Sequence, residues 1–108
     1  MAPTQLEIKV RALQRLIKEE CYYKQEIKEQ EKHVENLKND KNVDPYDLKK
    51  QEEVRDDTVK LLPTMYRKIE EFKNNLEEFL ETYEGGDELD DAKATIGEAD
   101  QLLKDNRL

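Results

Sequence analysis

From Leu48 to Tyr83 the chain keeps one register: Leu48, Gln51, Arg55, Thr58, Leu62, Met65, Ile69, Phe72, Leu76, Phe79 and Tyr83 follow one another at steps of three or four. Such steps lay side chains along a single stripe of an α-helix, and a stripe this long is covered only by other helices. Helix packing therefore governs the fold. Composition agrees, because 43% charged residues, no Trp and only three Gly and three Pro suit long helices and starve a sheet of its turns. A sustained apolar register also argues against disorder, despite a net charge of −8.

Three segments share the pattern. The first opens with Thr4 and, three residues on, Glu7, the spacing of a capping box. Its stripe is Leu6, Leu13, Leu16, Tyr23, Ile27, Val34 and Leu37, widened by Val10 and Ile17, and it fades into Asn39-Asp40-Lys41-Asn42. Asp44-Pro45 opens the second, with an N-capping carboxylate before a proline whose missing N–H is no loss in the first turn. Pro63 lies within that rod, and because the register continues across it, a kink is expected rather than an end. Gly85-Gly86 is read as the terminator, by way of the left-handed backbone that glycine adopts freely, and Asp87 as the cap of a third segment with stripe Leu89, Ala92, Ile96, Ala99 and Leu103. Gly97 weakens that last helix.

The predicted fold is all-α: one domain over residues 1–108, an antiparallel up-down-up three-helix bundle of coiled-coil type. Its helices cover about 4–38, 45–84 and 87–105, the second kinked at Pro63 and the third shorter. Where the third helix ends, part of the seam between the first two faces solvent, a second copy or another protein. The polar seam residues Gln51, Arg55 and Thr58 leave two readings. Either helical drift turns Val54 and Val59 inward in their place, or this half of the rod is an underfilled groove for a client.

Reactive chemistry is scarce. The chain has no Ser, one His and one Cys, and no Gly-rich turn precedes a helix, so an enzyme is not expected, nor a cofactor. His33 lies among charges without a second metal-ligating residue, and the pairs Glu19-Glu20, Asp56-Asp57 and Asp90-Asp91 read as solvated helix faces. Cys21 reads as a residue flanking the seam. An acidic chain is a poor ligand for a phosphate backbone, and no apolar run approaches the roughly 20 residues that span a bilayer. A soluble intracellular protein, with no nucleic acid or membrane as partner, is the expectation. Tyr22 and Tyr46, both expected to be at least half exposed, are either interface anchors ringed by charge or tyrosines lying along their own helices.

Arg15-Leu16-Ile17-Lys18-Glu19-Glu20 with Tyr23, then Tyr46-Asp47-Leu48-Lys49-Lys50-Gln51 after a short polar loop, and the proline of Leu61-Leu62-Pro63 resemble the tubulin-binding cofactor A family, also called tubulin-specific chaperone A. Met1-Ala2-Pro3-Thr4-Gln5-Leu6 and the run from Asn42 to Val54 are most similar to its fungal members. The resemblance covers residues 4–84. It implies a three-helix, non-enzymatic cofactor without a nucleotide of its own. Such a protein takes β-tubulin after release from the cytosolic chaperonin, keeps it soluble, passes it toward the αβ heterodimer and buffers its excess. It also implies cytoplasmic, cytoskeleton-associated localisation and contact with other tubulin-folding cofactors. The client is itself acidic, so local cations must steer it. The residues expected to do so are Arg15 and Lys18 beside Tyr22, and Lys49 and Lys50 beside Tyr46 and Gln51.

Two other classes compete with this one. A scaffolding coiled coil would act through self-association, and the exposed seam makes a homodimer plausible. A prefoldin-like subunit would need strands between its helices, and residues 39–44 are too few and too polar for them.

Overall fold

The computed structural model describes residues 3–85 and 89–106. Three helices follow in order: α1 (Gln5–Lys38), α2 (Pro45–Glu81) and α3 (Leu89–Asp105). No strand occurs among the described residues. The N-terminus of α1 is capped as its sequence requires, with the Glu7 N–H donating to Thr4 Oγ1 at 3.1 Å. The Glu7 carboxylate also meets Arg11, one turn on, at 3.6 Å.

Contacts divide the chain into two compact units. One comprises Met1–Glu19 with Met65–Leu108, and the other Glu20–Thr64. Both α1 and α2 contribute to each, and the division in α2 falls beside Pro63, through which the helix runs unbroken.

The first unit is a three-helix bundle. Its interior is apolar: Leu6, Val10 and Leu13 from α1, Met65, Ile69 and Leu76 from α2, and Ala92, Ala99 and Leu103 from α3 are all buried. The small alanines let α3 approach closely. Thr95, 2% exposed, joins α3 to α1. Its hydroxyl donates to its own helix at the Asp91 carbonyl, 2.7 Å away, and accepts from Gln14 Nε2 at 3.2 Å. Lys73 joins α2 to α3 through a 2.6 Å bond to Asp100. Within this unit α2 runs antiparallel to α1, which brings Lys9 Nζ to 5.5 Å from the Phe79 ring centre.

Three expectations fail here. Phe72, assigned to the α2 stripe, is 37% exposed. The neighbouring Lys73 is the better covered of the two, held by Asp100 and by Glu77 at 3.5 Å. The α2 terminus comes at Glu81, closed by tighter i→i−3 bonds from Thr82 N to Phe79 O and from Tyr83 N to Leu80 O. Gly85 is not in the left-handed region; it lies under the Tyr83 ring, where a Cβ would strike the phenol. The atoms met are the far end of a tyrosine side chain, which can swing aside, so neither backbone handedness nor a fixed neighbour demands glycine there. Gly86 and the Asp87 cap lie outside the described residues.

The second unit is a two-helix hairpin. Its loop is tied by Asn42 N–H to Asp40 Oδ1 at 2.9 Å and Val43 N–H to Asp40 O at 3.3 Å. Asp44 then caps α2 as expected, its Oδ1 accepting the Tyr46 N–H at 2.9 Å. Between the helices, Ile27 and Val34 are buried together with Glu20 and Thr58. Gln51, Arg55 and Leu48 are half-buried, while Val54 and Val59 are each 41% exposed. The drift that would have turned those valines inward does not occur; the seven-residue register holds, and the polar residues stay on the inner stripe.

Candidate protein-binding surface

The capped start of α2 fixes the first candidate group. Asp44 and Pro45 set the helix direction, so Tyr46 projects from the first turn with 66% of its surface exposed. One turn on, Lys50 Nζ stands 5.8 Å from the centre of the Tyr46 ring, a cation over an aromatic face. Tyr46, Lys49, Lys50 and Glu53 line a shallow depression of about 180 Å³. Gln51 is half-buried and is not part of that lining.

The second group is less gathered. Arg15 and Lys18 belong to the three-helix unit and Tyr22 to the hairpin. Arg15 is exposed and pairs with Glu19 at 3.5 Å. Lys18 is exposed too, and Tyr22 is 61% exposed, as both tyrosines were expected to be. Cys21 is exposed, and His33 is exposed on its charged face.

Two further features lay outside the sequence-based expectations. Ile8, 53% exposed, joins Lys9, Ala12, Phe72 and Asn75 around a depression of about 190 Å³ in the three-helix unit. Glu20, read as half of a solvated pair, is 3% exposed. The signal was in the spacing: Leu6, Leu13, Glu20, Ile27 and Val34 stand seven apart, and all five are buried. Glu20 Oε2 lies 3.4 Å from Lys24 Nζ yet accepts no hydrogen bond, and Gln30 Oε1 is likewise buried and unbonded.

The depression around Val10, Arg11 and Asp91 has a volume of about 250 Å³, below the roughly 300–1,000 Å³ of small-molecule sites. Among the described residues no group of three or more His, Cys, Asp or Glu is placed to hold a metal ion. No helix there is long and apolar enough to cross a membrane.

Residues 1–103 match the family model for tubulin binding cofactor A. The chain belongs to the tubulin-binding cofactor A family. Tubulin-specific chaperone A of Saccharomyces cerevisiae is 65% identical over 103 residues, which are 95% of this chain and 97% of the yeast one. Tubulin-folding cofactor A of Arabidopsis thaliana is 34% identical, covering 89% of this chain and 88% of its own. A solved structure of Rbl2p, described as a β-tubulin binding post-chaperonin cofactor, superposes with a TM-score of 0.87 at 63% identity, over 94% of this chain and 99% of that one. The all-helical architecture read from the heptads is thus the architecture of cofactor A.

Proposed function

We propose that this chain is a β-tubulin chaperone. It receives β-tubulin after release from the chaperonin, keeps it soluble, and yields it to the pathway toward the αβ heterodimer, buffering any excess. The observation that carries this reading is the match in both sequence and fold, over nearly the whole chain, to a β-tubulin binding post-chaperonin cofactor. The fold suits the task. A helical surface carrying a few aromatics among charges covers an exposed patch on a client without a large apolar area of its own. The protein works in the cytoplasm, as one domain, without catalysis or a cofactor.

The contact residues are Tyr46, Lys49, Lys50 and Gln51 on α2, and Arg15, Lys18 and Tyr22 on α1. Tyr46 supplies the anchor and the lysines steer an acidic client onto it. Tagged protein drawn from cytosol is expected to bring β-tubulin with it and leave α-tubulin behind; recovery of neither tubulin rejects the function. Lys49→Glu with Lys50→Glu is expected to weaken capture roughly tenfold, equivalent to about 1.4 kcal/mol, with helicity by circular dichroism unchanged. Undiminished capture would remove this patch from the interface.

A further inference from the structure

The bonds of the loop between α1 and α2 converge on the amide of Tyr46. Asp40 gathers the turn. Its N–H donates to the Leu37 carbonyl at 3.2 Å, its own carbonyl accepts from Val43 N–H at 3.3 Å, and its Oδ1 accepts from Asn42 N–H at 2.9 Å. Asp44 follows, directly before Pro45. A proline disfavours helical backbone in the residue ahead of it, and non-helical, extended backbone is what an N-capping residue needs. From that position the Asp44 carbonyl accepts the Leu48 N–H at 3.2 Å, and its Oδ1 accepts the Tyr46 N–H at 2.9 Å. Because Pro45 has no N–H, Tyr46 carries the first donor that α2 must satisfy. A single residue thus ties down the whole first turn.

That turn carries an exposed anchor. Tyr46 is 66% exposed, so the interior does little to hold its ring. Lys50 Nζ, 5.8 Å from the ring centre, meets the ring only while residues 46–50 form a helical turn. Helix ends open most readily, and a side chain ordered before contact loses less freedom on binding. We infer that Asp44 is a positioning residue for client capture: by capping α2 on the Tyr46 amide it holds the Tyr46–Lys50 pair in its binding arrangement. It acts through Tyr46. The inference rests on the β-tubulin function and on Tyr46 as a contact, and it adds Asp44 to the residues on which capture depends.

Asp44→Ala and Asp44→Asn separate the cap from the charge, since both remove the carboxylate and only Asn keeps an acceptor for the Tyr46 amide. In Asp44→Ala, exchange of the Tyr46 and Leu48 amides is expected to quicken about fivefold and capture of purified β-tubulin to weaken about fivefold, with overall helicity by circular dichroism retained. Asp44→Asn is expected to keep wild-type exchange and capture. In a Tyr46→Ala background, Asp44→Ala is expected to cost no further capture, because residues that act through one contact are not additive. Quickened exchange with undiminished capture in Asp44→Ala overturns the inference. So does unaltered exchange, an equal loss of capture in Asp44→Asn, or a further loss of the same size in the Tyr46→Ala background. Undiminished capture by Tyr46→Ala alone removes the anchor and the inference with it, while leaving the β-tubulin function standing; a wild-type chain that captures no β-tubulin rejects that function itself.

Discussion

The two units are built from the same two long helices and differ in what they bury. Of the eleven buried apolar residues among those described, nine belong to the three-helix unit and only Ile27 and Val34 to the hairpin. Two of the three buried polar residues, Glu20 and Thr58, are in the hairpin. In the three-helix unit the polar groups do cohesive work: Thr95 accepts from Gln14, and Lys73 reaches Asp100. In the hairpin the two stay within their own helices: Thr58 bonds back to the Val54 carbonyl, and Glu20 pairs with Lys24. An amphipathic repeat thus specifies where helices meet, while residue identity at the inner positions decides how firmly they hold.

The contrast predicts a graded set of responses. Leu76→Ala, at a fully buried site in the three-helix unit, should cost about 3 kcal/mol, read as a lower urea midpoint; a cost under about 1 kcal/mol would mean that this unit is no better packed than the hairpin. Lys73→Met should cost about 1 kcal/mol at neutral pH, and its effect carries a pH signature. The hydrogen bond to Asp100 is the main reason that the Lys73 pKa is raised; the nearby Asp100 and Glu77 charges add to it and burial opposes it. A raised folded-state value gives stabilisation that is complete below the ordinary 10.5 and lost as pH climbs through the folded value. The gap between wild type and Lys73→Met should accordingly be constant near neutrality and close in strong alkali. Thr58→Val should change stability by less than about 0.5 kcal/mol or raise it, since its hydroxyl serves only its own helix. A marked loss there would show the hairpin interior to depend on that hydroxyl and would blunt the comparison.

Much of this was legible from spacing. The capping pairs Thr4/Glu7 and Asp44-Pro45 mark the helix starts because local bonds decide them. The polar seam at Gln51, Arg55 and Thr58 follows the seven-residue count even where the residues look unsuited to it. Glu20 was misread because residue type outweighed register: a glutamate beside a glutamate looks solvated until its place midway between Leu13 and Ile27 is counted. Phe72 and Lys73 exchanged roles for a reason no single helix displays, since Asp100 on α3 draws the lysine in. Which exposed cations meet a client is not written in periodicity at all, because Arg15, Lys18, Lys49 and Lys50 look like any other solvated lysine or arginine on a helix.

The interleaving of the units has a consequence for synthesis. The hairpin is continuous in the chain, whereas the three-helix unit joins residues 5–19 to residues 65–106 and needs the ends of a long loop brought together. A nascent chain halted short of Leu89 already possesses every residue of the hairpin but lacks the helix on which Gln14 and Lys73 fasten. The better-packed part of this molecule is the last to be born, and until then the emerging polypeptide relies on its more loosely held half.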